Sequence, residues 1–455
     1  MVKTFDVIVI GGGSGLDIAV EAAERGLKTA IIEQGPLGGT CLNRGCIPSK
    51  MIIHAAEVMQ TIAQSSQFGI DVTAKKVNFS RVTGRASTLV DADARSIEHA
   101  LRSEKNPTLF RGNATFVGQK ILNINGEKIT AKKIVIAAGA RPTIPPIPRL
   151  DTVPYLTSTE ALRLKTFPKS MIIIGGGYIA AELGNFYATL GCKVTIIQRG
   201  PLLIPREDKD VAELFMKLWK EKGNVLVNTN VVNVQKQKRN ILVTVQQGNV
   251  KKTLHAEKLL IATGVTPNTD SLNIAKTGVK TTKNGFIQVN KFMETSVPGI
   301  WALGDIAGVY LFKHSANLEA QYVLHNILGT KRAVPYYPMP HAIFTSPQIA
   351  GVGMTEQEAQ EQNKEYVMGR YDYKDTGMGA ALEEKNGFVK LIVERKTKEI
   401  LGCHIIGPEA STLIHEVVVA MKADRRKALD ILRTAVLVHP ALSEVVQRAA
   451  LSVPV

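Results

Sequence analysis

The chain has 455 residues, of which 45% are hydrophobic and 5% aromatic, with a net charge of +16 and four cysteines. This length suits two to four domains, and no stretch approaches the roughly 18 uninterrupted apolar residues of a membrane span, so a soluble protein without a membrane partner is expected. The basic residues fall in short runs such as Lys75-Lys76, Lys251-Lys252 and Arg425-Arg426-Lys427, with no long arm and no aromatic interleaving, so the charge reads as a solvated surface that steers anionic ligands and no nucleic-acid partner is expected.

Residues Phe5 to Ile10 predict a buried parallel strand, followed by the turn Gly11-Gly12-Gly13-Ser14-Gly15-Leu16, a helix through Arg25 and a second strand from Lys28 to Glu33. Gly11 permits the tight turn, and Gly13 lets the backbone approach a pyrophosphate that the helix N-terminus can hold with unpaired N–H groups. Glu33 follows Gly11 by 22 residues, where a carboxylate can accept both hydroxyls of an adenosine ribose. Leu16 occupies the third glycine position of this motif, and Gly15 beside it is expected to relieve the crowding.

The stretch from Gly38 to Lys50 carries Cys41 and Cys46 with four residues between them and Pro48 just beyond. Pro48 suits the first turn of a helix, whose N-terminal positive field would stabilise a thiolate at Cys46 and make it a better leaving group. Zinc would need about four ligands, usually as two close pairs, whereas Cys192 and Cys403 are isolated. The N-terminus runs straight into a strand without a signal peptide, which favours a cytoplasmic setting and disfavours a permanent structural disulfide. A switchable redox disulfide is the leading reading, and no metal is expected.

The strand, turn and helix pattern recurs at Met171–Ile174, Gly175-Gly176-Gly177-Tyr178-Ile179-Ala180-Ala181-Glu182 and on through Leu190, with a strand from Lys193 to Ile197. This second module ends in Gln198 rather than an acid, with Arg199 next and Arg206 further on. A carboxylate there would repel a ribose 2′-phosphate, whereas a neutral amide beside two guanidiniums would accept it, so the second site reads as built for NADPH.

Two such modules flanking a cysteine pair, together with Ile134–Pro142, Leu260–Asn268, Trp301–Asp305 and His439–Glu444, strongly resemble the class I pyridine nucleotide-disulfide oxidoreductases. That family includes dihydrolipoyl dehydrogenase, glutathione reductase, mycothione reductase and mercuric reductase. The resemblance covers nearly the whole chain and implies an α/β fold with two Rossmann-like dinucleotide-binding domains and a C-terminal α+β dimerisation domain. The expected divisions are 1–150 with 271–335 for FAD, 151–270 for NAD(P), and 336–455 for the dimer interface.

The resemblance implies FAD contacts at Gly11, Gly13, Ser14, Gly15, Glu33, Gln34, Gly39, Thr40, Lys50, Ala114, Ala138, Gly139, Asp305, Lys313 and Ala316. It implies NAD(P) contacts at Gly175, Gly177, Tyr178, Ile179, Glu182, Gln198, Arg199, Arg206 and Gly264. Asp305 would bond the ribityl chain, and the helix beginning near Lys313-His314 would point at the flavin C2 carbonyl. Lys50 would sit near flavin N5, paired with Glu182. Tyr178 stands where the glutathione reductase type covers its nicotinamide pocket. His439 and Glu444 resemble the catalytic base and the carboxylate that orients it, acting across a homodimer. Ala138 and Val265 depart from the threonine and arginine frequent in the corresponding motifs.

The implied chemistry is FAD-dependent NAD(P)H:disulfide oxidoreduction. Hydride passes from NADPH to the flavin and opens the Cys41–Cys46 disulfide, Cys46 stays near the ring as a charge-transfer thiolate, and Cys41 attacks a small disulfide substrate. Direction depends on the potentials of substrate and cofactor, so a dihydrolipoyl dehydrogenase, reoxidising dihydrolipoamide with NAD inside a 2-oxo acid dehydrogenase complex, is the alternative. Gln198, Arg199, Tyr178 and the mycothione reductase-like C-terminal ending favour the reductase. A mercuric reductase is disfavoured because Ala450–Val455 carries no cysteine pair, and a basic binding protein with structural FAD is disfavoured by the intact set of Cys41, Cys46, His439 and Glu444.

Overall fold

A computed structural model describes residues 1–73 and 76–454; Lys75 of one basic run and the terminal Val455 lie outside the described residues. The chain packs as two compact units, one built from Met1–Met51, Arg81–Thr143 and Gly264–Tyr336, the other from Ile52–Ser80, Ile144–Thr263 and Tyr337 onward. The packing thus gathers the second dinucleotide module and the C-terminal region into one unit.

In the first unit, strand β1 (Lys3–Ile10) leads through the glycine turn into helix α1 (Gly15–Glu24) and parallel strand β2 (Thr29–Glu33). β1 lies between β2 and the strand Glu127–Ile136, both parallel to it, with Ile8 opposite Ile134 and Ile10 opposite Ile136. Thr108–Arg111 and Ile300–Ala302 extend this sheet in parallel, and Ala114–Gly118 with Ile121–Ile124 adds an antiparallel edge. Alternation along β1 explains why the strand is apolar throughout. Val7 and Val9 pack against Ile18, Ala19 and Ala22 of α1, while Ile8 and Ile10 face Phe116, Leu122 and Ile124 on the other side. A parallel sheet covered on both faces requires such a run.

The close approach between α1 and β1 is made at Gly15. A Cβ there would stand 2.8 Å from Val9 Cγ1 and 2.9 Å from the Ala137 methyl, so the missing side chain at position 15 compensates for Leu16, which packs at the margin of the core. Gly11 has φ of 109° and its counterpart Gly175 φ of 112°, a backbone region closed to ordinary L-residues.

In the second unit, four parallel strands run in the order Asn224–Leu226, Lys193–Ile197, Ser170–Ile174 and Lys258–Ile261. The helix Tyr178–Thr189 follows the second glycine turn, and Asn230–Ala256 forms a three-stranded antiparallel meander. The C-terminal region is a five-stranded antiparallel sheet, Pro340–Ile343, Gln348–Gly353, Ile400–Gly407, Phe388–Glu394 and Tyr366–Asp372 in spatial order. Helices Ala410–Ala423, Ala428–Thr434 and Ser443–Leu451 bury their apolar residues against it, including Val417, Leu429 and Val446.

Among the described residues no helix is long and apolar enough to cross a membrane, and no group of three or more His, Cys, Asp or Glu side chains is arranged to hold a metal ion.

Candidate active site

The two cysteines lie on separate helices. Cys41 is in the short α2 (Gly39–Arg44) and Cys46 opens the long α3 (Cys46–Gln64), so only Gly45 stands between the two helical segments. Pro48 falls in the first turn of α3, where its missing N–H costs nothing. Asn43, buried between the cysteines, fixes α2 to the preceding loop by donating to the carbonyls of Leu37 at 2.8 Å and Gly39 at 2.9 Å. The sequence pattern around the cysteines did not single out this clamp.

Both thiols are half-buried. The hydrogen bond from the Cys46 side chain, burial and the nearness of the Cys46 charge push the Cys41 thiol well above the usual range, while Lys313 pulls it down. Two coupled thiols of this kind resist double ionisation, which favours either one shared proton or a disulfide.

Lys313 is the first residue of the helix Lys313–Ile327. Its Nζ donates to Ser14 Oγ at 2.8 Å, and Ser14 in turn donates to Asn317 Oδ1 at 2.9 Å, linking this helix to the first glycine turn. Asp305 sits in the turn Gly304–Ile306, where burial raises its carboxyl and Lys313 opposes the rise. The turn is held from beneath by Glu319, fully buried, which accepts the Gly304 N–H at 2.6 Å and the Tyr336 hydroxyl at 2.8 Å. Ala316 lies against Gly304, whose added Cβ would stand 3.4 Å from its methyl.

A hollow beside the first glycine turn is lined by Gly11, Glu33, Gln34, Ala114 and Ala138, five of the residues expected from sequence. It also takes in Asn113 and Ser271, which no motif marked, and Asn268, the last residue of the Leu260–Asn268 motif. Asn268 is tied in by donating to the Ala138 carbonyl at 2.8 Å and to Gly139 O through its backbone at 3.2 Å. Glu33 accepts the Gly12 N–H at 2.8 Å and the Gly35 N–H at 2.7 Å, one on each oxygen, which orients the carboxylate and leaves each oxygen a further lone pair. The backbones of Gly13 and Gly39 meet closely enough that a Cβ on Gly39 would stand 2.7 Å from Gly13 Cα, with Thr40 next in α2. A hollow beside the turn, an acid in its lining, bare backbone and the Ser14 and Lys313 donors together suit an adenine dinucleotide.

In the second unit, the turn Gly175–Gly177 leads into Tyr178 at the head of its helix, with Ile179 exposed. Gln198 is folded over its own loop, its Oε1 accepting the Arg199 N–H at 3.1 Å and its Nε2 reaching Leu202 O at 3.3 Å. Arg199 and Arg206 are exposed. The Tyr178 hydroxyl donates to Glu207. Burial first, then the Glu207 charge, pushes its phenol far up, with Arg206 pulling the other way. Glu182 accepts the Phe344 N–H at 3.0 Å. Gly264, with φ of 102°, belongs to the other unit and accepts the Thr143 N–H at 2.9 Å beside the strand pair Ala140–Pro142 and Val265–Pro267. Lys50 lies one turn beyond Cys46 on α3.

His439 presents an exposed imidazole whose Nδ1 lies 2.9 Å from Glu444 Oε1. The second oxygen of Glu444 accepts the Ala441 N–H at 3.1 Å, and the bond to His439 followed by that to Ala441 holds the carboxyl below its usual range. With Nδ1 engaged by an ionised carboxylate, Nε2 is the nitrogen left to exchange protons.

The sequence profile described as "Pyridine nucleotide-disulphide oxidoreductase" matches residues 5–323, and that of the corresponding dimerisation domain matches residues 339–450. The chain is 38% identical to mycothione reductase of Mycobacterium tuberculosis over 461 aligned positions, covering 99% of each. It is 34% identical to dihydrolipoyl dehydrogenase of Cupriavidus necator, covering 100% of this chain and 98% of the relative. The solved Cu(II) complex of the HOCl-induced flavoprotein disulfide reductase RclA from Escherichia coli superposes with a TM-score of 0.88 at 29% identity, covering 99% of both chains.

Proposed function

Because the chain belongs to the pyridine nucleotide-disulphide oxidoreductases, enzymes that use FAD and NAD(P)H, we propose that it reduces a low-molecular-weight disulfide of the mycothione or glutathione type with electrons from NADPH. The observation that carries this reading is the thiol pair itself, Cys41 and Cys46 on two helices that Gly45 alone separates, in mutual contact and beside the Lys313 charge.

FAD would be held by the first glycine turn, Glu33, Ser14, Lys313 and Asp305, and when bound it supplies the two-electron link between the nicotinamide cofactor and the cysteine pair. Lys50 and Glu182 are assigned to the same flavin environment. In the reduced pair, the Cys41 thiolate attacks one sulfur of the substrate disulfide, forming a mixed disulfide and expelling the first product thiolate. His439 of the partner subunit, its Nδ1 bound to Glu444, gives that thiolate a proton from Nε2. Cys46 then gives up the proton the pair had kept and attacks the Cys41 sulfur, expelling the second product thiolate, which takes that proton, and closing the Cys41–Cys46 disulfide. Two electrons leave the dithiol and two arrive on the substrate, so the cycle closes when the pair is reduced again. The dimerisation-domain match supports a homodimer as the working form, and a reducing compartment such as the cytoplasm suits a thiol pair that must cycle.

NADPH is preferred in this proposal because Gln198 brings no negative charge and Arg199 and Arg206 are exposed beside it. The test is a steady-state panel of NADPH and NADH against mycothiol, glutathione and coenzyme A disulfides, and of NAD with dihydrolipoamide. NADPH should exceed NADH by at least tenfold in kcat/KM, and R199A/R206A should erase that ratio. Faster turnover of dihydrolipoamide with NAD than of any disulfide with NADPH would replace the reductase reading with that of a dihydrolipoyl dehydrogenase.

A further inference from the structure

Lys222 is a cation that the thiol chemistry leaves unused. It ends the helix Lys209–Lys222, where a lysine normally reaches into solvent and balances the helix C-terminus. Here the side chain turns inward. Its Nζ donates to Asn185 Oδ1 at 3.1 Å, to Ser346 O at 2.5 Å and to Gln60 Oε1 at 3.3 Å, which spends all three protons on neutral oxygens. The acceptors come from three separate elements of the second unit: the helix Tyr178–Thr189, the segment after the strand Pro340–Ile343, and α3. With no carboxylate among them, only hydrogen bonds offset the burial of the charge.

The placement of these bonds ties them to Glu182. Asn185 is three residues beyond Glu182 and so shares its helix face. Ser346 is two residues beyond Phe344, whose N–H Glu182 accepts at 3.0 Å. The helix and the segment are thus joined twice in parallel, once directly through Glu182 and once, a turn further on, through the Lys222 ammonium. Asn185 is 1% exposed and its Nδ2 has no partner among the described residues, so its amide is held from the oxygen side alone.

Burial pushes the Lys222 ammonium down to about 8, and Glu221 on the same helix opposes the fall. Of the elements packed against Lys222, the helix Tyr178–Thr189 brings Glu182, and α3 brings Glu57, which the His54 imidazole engages at 2.9 Å. Phe344–Pro347 brings no titratable side chain. An ammonium serves three oxygens, whereas a neutral amine has two protons and turns a lone pair toward the third.

Resting on the assignment of Glu182 to the flavin environment, we propose that Lys222 is a positioning residue for hydride transfer from the nicotinamide cofactor to the flavin: its ammonium locks the helix face that carries Glu182, and loss of one of its three hydrogen bonds lets that face shift. Flavin reduction therefore slows as pH rises through about 8.

The test mixes the oxidised holoenzyme with excess NADPH in a stopped-flow instrument and follows the flavin absorbance from neutral pH to about 9.5, short of the ordinary lysine value near 10.4. The wild-type rate constant should drop by about tenfold across that span, well inside the ~100-fold that a misplacement of one ångström can cost. K222R, which stays charged throughout, should keep the neutral-pH rate with no break. K222M should show the lowered rate at every pH, with KM for the disulfide unchanged. A wild-type profile with no break near pH 8, a K222R profile that breaks where the wild type does, or a K222M enzyme within twofold of wild type at neutral pH would each overturn the proposal while leaving the flavin assignment intact. Should K222M not fold, the wild-type and K222R profiles decide alone. A wild-type flavin that neither NADPH nor NADH reduces would overturn both.

Discussion

Lys390 offers the sharpest test of what holds the Glu207 segment in place. Its side chain is 2% exposed and its ammonium meets Asp208 Oδ1 at 2.9 Å, Asp210 Oδ2 at 2.8 Å and Glu356 Oε2 at 2.6 Å, which uses all three of its protons. Asp208 is the neighbour of Glu207 and caps the helix Lys209–Lys222 by accepting the Asp210 N–H at 3.2 Å. In K390M the side chain keeps its length and loses its charge. Asp210, with 41% of its side chain exposed, and Glu356, with 20%, can turn to water, whereas Asp208, with none exposed, cannot. One uncompensated buried carboxylate costs about 3 to 5 kcal/mol, which at roughly 2 to 4 °C per kcal/mol for a body of this size is a fall in Tm of ~10 °C.

The assay is a thermal scan of the holoenzyme followed by Trp219, which is buried in the same unit, in a W301F background that leaves it the sole tryptophan. The pH dependence has a definite sign. Burial opposes ionisation of Asp208, but His404, the Glu356 N–H and Lys390 together hold its carboxyl below the usual range. A depressed carboxylate contributes stability above its unfolded pKa of about 3.9 and loses it as pH falls through the folded value. The wild-type contribution is therefore full at pH 7 and is lost only below about pH 4, while the stranded carboxylate of K390M takes up its proton at higher pH, so the gap narrows steadily on acidification. D208N added to K390M should recover most of the loss. A K390M enzyme melting within a degree of wild type at pH 7, or one that D208N does not rescue, would refute the reasoning.

Cys41→Ser should retain the long-wavelength absorbance that appears when NADPH reduces the enzyme, and Cys46→Ser should lose it; the opposite pattern in absorbance spectra would exchange the roles given to the two thiols. Glu444→Gln leaves the His439 imidazole without its charged anchor. It should lower kcat/KM for the disulfide by about tenfold or more while stopped-flow reduction of the flavin keeps its rate. Gly15→Ala drives a methyl to within 2.9 Å of both Val9 and Ala137. It should destabilise the first unit by about 1 to 3 kcal/mol and loosen FAD retention, measured as flavin released on gel filtration.

How much of this was legible in the sequence depends on the range of each interaction. The strand Met171–Ile174, the glycine turns, the Glu33 position and the helix start beside Cys46 are written in neighbouring residues, and short-range patterns carried them. Gly15 was legible only as a hint, because which residue makes the close approach depends on how α1 is rotated against β1. The Glu207–His341 contact joins residues 134 positions apart. In the sequence Glu207 is an acid between Arg206 and Asp208, and His341 is one of nine histidines with no motif of its own. Likewise Ser271 reaches the first hollow because the chain returns to that unit after the second dinucleotide module, a crossing no local periodicity records.

The break at Gly45 has a consequence for how such a centre can change over generations. Each residue of an α-helix turns its side chain by about 100°, so one insertion or deletion between Cys41 and Cys46 would swing one sulfur to another side of its helix. A Cβ at position 45 would stand 2.9 Å from Thr40 O, so the junction resists lengthening of its side chain as firmly as of its backbone. The interval between the thiols therefore behaves as a ruler of fixed length. Substrate preference can drift through changes elsewhere in the chain while this short interval stays the same.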